Sequence, residues 1–476
     1  MRSEFGKKPM KKKILVTTYS PCIQGSYGIV QRELFSRIHA WAGDRYEIVS
    51  HGWFHFDITD PVPWRVVPTD FKQDPNGNMV MDDRDKFGEQ SLMRVINIEK
   101  PDIVFALGDH YMLRHINAAK QAFQTVQFIA YLAVDGEPWH RGLTIPYEVC
   151  DHIFALSKYG SSVISPLLAR HIDHIYHGVD LNMFHPVDID DPAVLGRIDS
   201  MRRSASGNNI TGDSFVIGWV GRDQFRKQIW KLWELMHYLV HGDYILCNTC
   251  CKVTLKEFDK VLGTPREVGT LRMYKPDYDY KTCWHCNSSD IKLGVPRNDV
   301  FAWSHMAPAQ GDGWDPNQLG DIWKVRDKIY STAGLTPNKG ITTNELAELY
   351  RVFDIFYCMS GGEGFGIPVL ESMASGVPVA YTNYSAHSEV AGDTGIPINC
   401  DWMCEMNSCY DRSLADTADA ITKLLPYIED KKLLRPLREK AIERSKSFTW
   451  DAASKKLLMF FDGISAKIKH GYGKVL

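Results

Sequence analysis

Short runs of β-branched and other apolar residues alternate along this chain with longer stretches whose apolar positions recur every three or four residues. Ile14-Leu15-Val16-Thr17-Thr18 reads as a buried strand. The loop Gln24-Gly25-Ser26-Tyr27-Gly28 follows. Val30, Leu34, Ile38 and Trp41 then share one face of a helix predicted over 29–41. Further strands are expected at 46–50, 102–107, 127–132 and 152–156. Repeated strand-then-helix units imply a parallel sheet covered on both faces, so the first half reads as a doubly wound domain. Around 186–213 the pattern gives way to polar sequence, including Asn208-Asn209-Ile210-Thr211-Gly212-Asp213. A second alternation begins at Phe215-Val216-Ile217-Gly218-Trp219-Val220 and resumes at 300–303, 355–358 and 377–381. Residues 243–297 interrupt it with little periodicity. At the end, 450–467 reads as a helix with Ala453, Leu457, Phe460 and Phe461 on its apolar side. No internal repeat of fixed period is present. The expected organisation is therefore α/β: a first domain over 1–190, a second over 191–450 with a module inserted at 243–297, and a terminal helix over 451–476.

Composition narrows the function. Of 476 residues, 44% are hydrophobic and 24% charged, which are globular proportions that exclude disorder as the dominant state. Lysine and arginine total 55 against 58 acids, a formal charge of −3, so attachment to nucleic acid or membrane by bulk positive charge is not expected. No apolar run reaches the roughly 18 residues that cross a bilayer. The basic start Met1-Arg2-Ser3-Glu4-Phe5-Gly6-Lys7-Lys8 lacks the apolar core of an export signal, which points to a cytosolic protein.

The segment Ser360-Gly361-Gly362-Glu363-Gly364-Phe365-Gly366-Ile367-Pro368-Val369-Leu370-Glu371 reads as a glycine-rich loop between a strand and a helix, with Pro368 in the helix's first turn. Glycines let backbone approach a ligand closely, and the free amides of a helix start favour anionic or polyhydroxylated groups. Glu363 and Glu371 can face one cleft at the carboxyl edge of the sheet, one holding sugar hydroxyls and the other a ribose. Spacing permits this, and equally permits an ordinary loop with solvated acids.

Glu363-x7-Glu371, followed by Ser372-Met373-Ala374-Ser375-Gly376-Val377-Pro378-Val379, resembles the donor-site signature of retaining glycosyltransferases with the GT-B fold, the glycogen-synthase-like and mannosyltransferase group. Other segments agree in order. His177-Gly178-Val179-Asp180 with Phe184 and Pro186 is similar to that group's interdomain motif, and Gly221-Arg222-Asp223-Gln224-Phe225-Arg226-Lys227 to its diphosphate-binding turn. Gly311-Asp312-Gly313-Trp314-Asp315 also looks like a segment of the group, and Phe448-Thr449-Trp450 like the start of its helix that returns to the first domain. The resemblance implies two Rossmann-like domains facing a cleft and a nucleotide-diphosphate sugar as donor. It implies Arg222 and Lys227 as stabilisers of the departing phosphate, with Arg226 a second candidate. A planar guanidinium suits phosphate and an ammonium supplies a point charge. It further implies Glu363, with the amides of Gly364, Phe365 and Gly366, on the transferred sugar, Glu371 on the ribose, and the loop holding Gly25 and Gly28 over the diphosphate. The latter could also be a plain strand-to-helix turn. Attack on the same face as departure, with the leaving phosphate assisting deprotonation, is what the resemblance implies for mechanism.

Many relatives carry a histidine near the reacting carbon where this chain has Tyr131-Leu132-Ala133-Val134-Asp135-Gly136-Glu137-Pro138-Trp139-His140. Asp135 could accept the acceptor's proton or bind the sugar, or be a turn-former before Gly136; His140 and His110 are rivals. Asp188-Ile189-Asp190 and Asp277-Tyr278-Asp279 match the metal-binding pattern of the other common transferase fold, but neither follows a convincing strand, so catalysis without a metal is expected.

Eleven cysteines include Cys247-x2-Cys250 and Cys283-x2-Cys286, separated by 32 residues. Two tight turns presenting two thiolates each suit a closed tetrahedral zinc site, which would replace the core that so small a module could scarcely build. Cys251 and His285 are adjacent substitutes, while Cys400, Cys404 and Cys409 have no matched fourth ligand. The module holds nine basic and seven acidic side chains, with Tyr274, Tyr278, Tyr280 and Trp284 among them. Aromatics interleaved with bases could stack on nucleobases, which makes a hydroxymethylated base in viral DNA a candidate acceptor and the cytosol of an infected cell the setting; a scaffold or oligomer contact is the alternative. The rival functions are transfer to a glycan, protein or lipid, a GT-B epimerase or phosphorylase, and a non-enzymatic zinc-ribbon protein that binds nucleic acid.

Overall fold

The computed structural model describes residues 11–56, 60–76, 79–207, 209–256, 280–306, 314–332, 335, 340–405 and 410–466. Two compact units share the chain. Unit 1 comprises Met1–Val134, Trp139–Gly178 and Phe448–Leu476; unit 2 comprises Asp135–Pro138 and Val179–Ser447.

Unit 1 is built on seven parallel strands: Lys12–Tyr19 (β1), Tyr46–Trp53 (β2), Arg65–Pro68 (β3), Ile103–Asp109 (β4), Gln127–Ala133 (β5), His152–Ala155 (β6) and Asp173–His174 (β7). Their spatial order is β3-β2-β1-β4-β5-β6-β7. Both faces of the inner strands are covered, which is why Ile14–Thr18 is apolar without alternation and buried throughout. The four-residue β3 and two-residue β7 are too short to leave a pattern in the sequence.

The first helix, Ser26–Ala42 (α1), starts three residues earlier than its apolar stripe indicates, because Gly25 in an extended conformation is already its N-cap. Val30, Leu34 and Ile38 are wholly buried, as the periodicity predicts, but Trp41 is 39% exposed. The buried seam continues by fours to Ala42, and Trp41 lies outside it with the Lys455 ammonium 5.7 Å above its ring. The terminal helix, Trp450–Ser465, belongs to the same unit. Its Ala453, Leu457 and Phe461 are buried, whereas Phe460 is half-buried, edge-on to His152 and Phe154.

In unit 2 a helix over Pro192–Ser206 precedes Phe215–Val220 (β8) and the helix Trp230–His241 (α2). A small antiparallel sheet follows, with Tyr244–Cys247 (β9) between Val253–Leu255 (β10) and Ile291–Leu293 (β11). The main sheet resumes with Val300–His305 (β12), Ile329–Ser331 (β13), Ile355–Cys358 (β14), Val379–Thr382 (β15) and Ile396–Ile398 (β16). It is parallel, in the order β13-β12-β8-β14-β15-β16. Helix Ile367–Ala374 (α3) lies between β14 and β15. After β16 comes an antiparallel hairpin, Cys400–Glu405 (β17) with Tyr410–Ala415 (β18), and then helix Thr417–Glu429 (α4).

Helix α2 is buried on all sides from Trp230 to Leu239, because the inserted sheet covers it as well as the main one. Its two charges inside the core satisfy each other: Lys231 donates to Glu234 at 2.8 Å, and Thr417 Oγ1 donates to the same carboxylate at 2.7 Å. The insert is tied to α4 by the Val253 amide, which donates to Thr422 Oγ1 at 3.1 Å, and by an Arg297–Glu429 pair at 2.8 Å.

Candidate active site

In unit 2 the strand order reverses between β8 and β14, and open parallel sheets bind ligands beyond the carboxyl ends of the strands at such a point. The loop after β8 carries Arg222, Asp223, Arg226 and Lys227; the loop after β14 carries Glu363 and leads into α3. Phe225–Lys227 forms one tight helical turn, which points the Lys227 ammonium at Glu363 Oε1. Arg226 Nη1 lies 3.2 Å from the same oxygen and donates to the Gly362 carbonyl at 3.2 Å. The backbones interlock too: the Gly361 amide donates to the Arg226 carbonyl at 2.7 Å, and the Glu363 amide to Ser385 Oγ at 2.9 Å.

Burial opposes ionisation of Glu363, but Lys227, Arg226 and, to a lesser degree, His387 hold its carboxyl well below the usual range. Burial also pulls the Lys227 pKa down, against the restoring charge of Glu363. Two cations thus share one buried carboxylate, leaving a local surplus of positive charge. His387 is fully buried with a pKa lowered to about 4, chiefly by desolvation, and its Nε2 lies 3.5 Å from the Cys358 sulfur at the end of β14.

Glu371 differs from Glu363. It sits half-buried in the second turn of α3, and Tyr350 donates to its Oε2 at 3.0 Å. No cation pairs with it among the described residues, and burial raises its pKa to about 7. Gly366 caps α3 with φ +94°, a conformation that L side chains rarely adopt, and no side chain caps that helix end. The loop residues Gly364 and Phe365 are buried beside it.

The structure does not bring every expected residue into this cluster. Arg222 is exposed and makes no ion pair among the described residues; Arg226, the second candidate, takes the place beside Lys227. Arg222 lies five positions before Lys227, and the turn at 225–227 presents its own side chains to Glu363. Asp135 is not a free base. Tyr410 donates to its Oδ1 at 2.7 Å and Arg412 to its Oδ2 at 3.0 Å. Burial would raise its pKa, but Arg412 and Arg226 hold it below the ordinary value. His140 caps a short helix by accepting the Gly142 amide at 3.0 Å, and His110 is buried with its ring 5.3 Å from that of Trp139. In unit 1, Gly25 is the N-cap of α1, and a side chain at Gly28 would strike the Ser20 carbonyl at 2.5 Å, so loop packing accounts for that glycine. His177 and Gly178 pack against Trp450 in the same unit. Gly311, Asp312, Gly313, Tyr274, Tyr278, Asp277, Asp279 and Cys409 lie outside the described residues, as does the side chain of Cys404.

The four paired cysteines do converge. The sulfurs of Cys247, Cys250, Cys283 and Cys286 all lie within 4.8 Å of one another, with Cys247–Cys286 at 3.6 Å and Cys250–Cys283 at 3.5 Å. Tetrahedral zinc with Zn–S bonds of about 2.3 Å needs sulfurs ~3.8 Å apart. The two turns have the same construction. The Cys251 amide donates to the Cys247 carbonyl and the Asn287 amide to the Cys283 carbonyl, each from a residue with φ near +60°. Cys251 is exposed and His285 contacts the Val253 carbonyl at 3.3 Å, so neither belongs to the quartet. Among the described residues no helix is long and apolar enough to cross a membrane.

Residues 311–425 match the family model described as Glycosyl transferases group 1. The chain is 25% identical over 140 residues to O-antigen chain mannosyltransferase B of Escherichia coli, an alignment covering 29% of this chain and 32% of that protein. It is 33% identical over 144 residues to putative glycosyltransferase 48 of a Sulfolobus islandicus filamentous virus, covering 29% of this chain and 46% of the relative. The chain thus spans less than half the length of these curated relatives. The structure of HepE from Anabaena in complex with UDP and glucose superposes with a TM-score of 0.61 at 13% identity, over 95% of this chain and 100% of that one. The chain has the GT-B fold, and its segment 311–425, which carries Glu363 and Glu371, matches the group 1 glycosyltransferases.

Proposed function

We propose that this protein is a glycosyltransferase that moves a sugar, with retention, from a nucleotide-diphosphate donor to an acceptor hydroxyl. The convergence of Lys227 and Arg226 on Glu363, at the sheet's switch point, carries this reading. As the anomeric C–O bond breaks, its electron pair moves onto the β-phosphate oxygen, and fixed cations there stabilise the transition state more than the ground state. Lys227 and Arg226 supply that charge, and exposed Arg222 at the head of the same loop is available to the outer phosphate oxygens. The acceptor hydroxyl forms the new C–O bond on the face the phosphate leaves, and its proton passes to the departing phosphate. Glu363 binds sugar hydroxyls, assisted by the amides of Gly364, Phe365 and Gly366. Glu371, without a competing cation, binds the ribose. No step draws on a metal.

UDP is the first nucleotide to try, since HepE, which shares the fold, was solved with UDP and glucose. The cysteine quartet would hold one structural zinc: four thiolates from two matching turns leave no open coordination position. Thermal-shift screening against UDP, GDP and ADP and their sugars tests the donor reading. Mass measurement of candidate acceptors follows, with glycans, lipids and hydroxymethylated DNA as separate arms. Nucleotide release that requires an acceptor separates transfer from epimerisation or phosphorolysis.

A further inference from the structure

We propose that the hairpin β17–β18 is a positioning element of the donor site, and that Asp135 serves it as a buried ionic anchor rather than as a proton acceptor. The proposal rests on the donor-site reading above and adds Arg412 and Tyr410 to its machinery.

Three stretches distant in sequence meet on strand β18. The first is Asp135–Pro138. The Asp411 amide donates to the Glu137 carbonyl at 3.1 Å, forming an isolated antiparallel bridge, and Tyr384 joins both sides by accepting the Glu137 amide at 2.9 Å and donating to the Asp411 carbonyl at 3.2 Å. The second is the glycine loop, where the Ser413 amide donates to the Gly361 carbonyl at 2.9 Å. The third is the turn carrying the cations. The Gln228 side chain donates to the Ser413 carbonyl and accepts the Ala415 amide at 3.4 Å. One strand therefore holds both active-site loops, the glycine loop by a backbone bond and the cation-bearing turn through the Gln228 side chain.

Arg412 and Asp135 form the core of this junction. Both are nearly inaccessible, at 5% and 7% exposure, and the Arg412 guanidinium also lies 5.1 Å from the Tyr410 ring. The Asp135 carbonyl presses on Gly362 so closely that a Cβ there would come within 1.7 Å of it. Gly362 in turn accepts from Arg226 and precedes Glu363. Displacing Asp135 displaces the chain that aims Arg226 and Glu363. A carboxylate held by a guanidinium on one oxygen and a phenol on the other has little affinity for a further proton, so proton acceptance is the role its surroundings suit least.

The test uses the full chain, with UDP, GDP and ADP as binding probes and release of nucleotide from the matching sugar donor as the rate. Arg412→Met and Asp135→Asn each break the buried Asp135–Arg412 ion pair. Each should lower kcat about 100-fold while donor KM changes about threefold or less, the split expected of misplacement rather than lost binding. The double variant Asp135→Asn/Arg412→Met removes both charges and should recover to within about tenfold of wild type. Tyr410→Phe, which deletes the hydrogen bond given to Asp135 and the one accepted from Arg412 but leaves the ion pair, should lower kcat about tenfold in a protein of native circular dichroism. Full kcat in Arg412→Met or Tyr410→Phe overturns the proposal, and so does an Asp135→Asn defect that the second substitution fails to relieve and that removes the acid limb of the pH–kcat profile. Failure of the wild type to bind any of the three nucleotides removes the donor site itself; binding and turnover with an indifferent Arg412→Met remove only the positioning role.

Discussion

Glu363 and Glu371 are the same residue type, eight positions apart, in opposite electrostatic states. Glu363 is pinned as a carboxylate by Lys227 and Arg226, whereas burial without a cation lifts Glu371 to about 7. Replacing Lys227 by Ala should cut kcat about 100- to 1,000-fold, the range for losing one preorganised donor at a developing oxyanion. Because Lys227 and Arg226 share the Glu363 carboxylate, Glu363→Gln is the cleaner partner experiment: its nucleotide affinity should survive while transfer falls by a similar factor in steady-state assays. Glu371 gives a pH signature. Its folded pKa lies above its ordinary value of 4.5, so its contribution to stability is full below that value and is lost as the pH rises through about 7. Denaturant titrations across this window should show wild type losing stability relative to Glu371→Gln; parallel curves would contradict the assignment. The acids themselves were legible in the sequence, because glycines and Pro368 mark a loop entering a helix. What surrounds them was not. Ser385, His387, Tyr410 and Arg412 reach the site from later elements, and no local spacing encodes a contact between residues more than 270 positions apart, as between Asp135 and Arg412. Order in a motif likewise does not say which side chains a tight turn will present: Lys227 and Arg226 face Glu363, and Arg222 stands exposed at the head of the loop.

At the scale of elements, periodicity located the long buried strands and the stripe of α1, and it missed pieces that carry no pattern: β3, β7, β13 and the hairpin β17–β18 are short or at an edge. The inserted module was visible through its cysteines and through the break in periodicity over 243–297. Its sheet shares one hydrophobic core with α2 and α4, the helices that follow the cation-bearing turn and the hairpin. Metal analysis of the purified chain should find about one zinc per molecule, the stoichiometry of a closed four-thiolate site. Cys283→Ser should release it and lower the thermal midpoint of unit 2, whereas full-length protein free of zinc yet unchanged in midpoint would discard the site. Cys251→Ser, outside the quartet, should change neither quantity.

For the whole molecule, a formal charge of −3 gives no overall field that would draw in an anion, so the proposed donor site relies on a few cations placed on one sheet edge. The fold alone does not dictate that chemistry, since GT-B architecture supports several reactions; the residues on the two loops do. The most direct measurement is calorimetric titration of wild type and Lys227→Ala with UDP, GDP and ADP. The account predicts that at least one nucleotide binds wild type and that Lys227→Ala weakens it about tenfold or more, the scale of a lost charge-assisted contact. Equal affinity in the two proteins, or no binding to wild type, would contradict it.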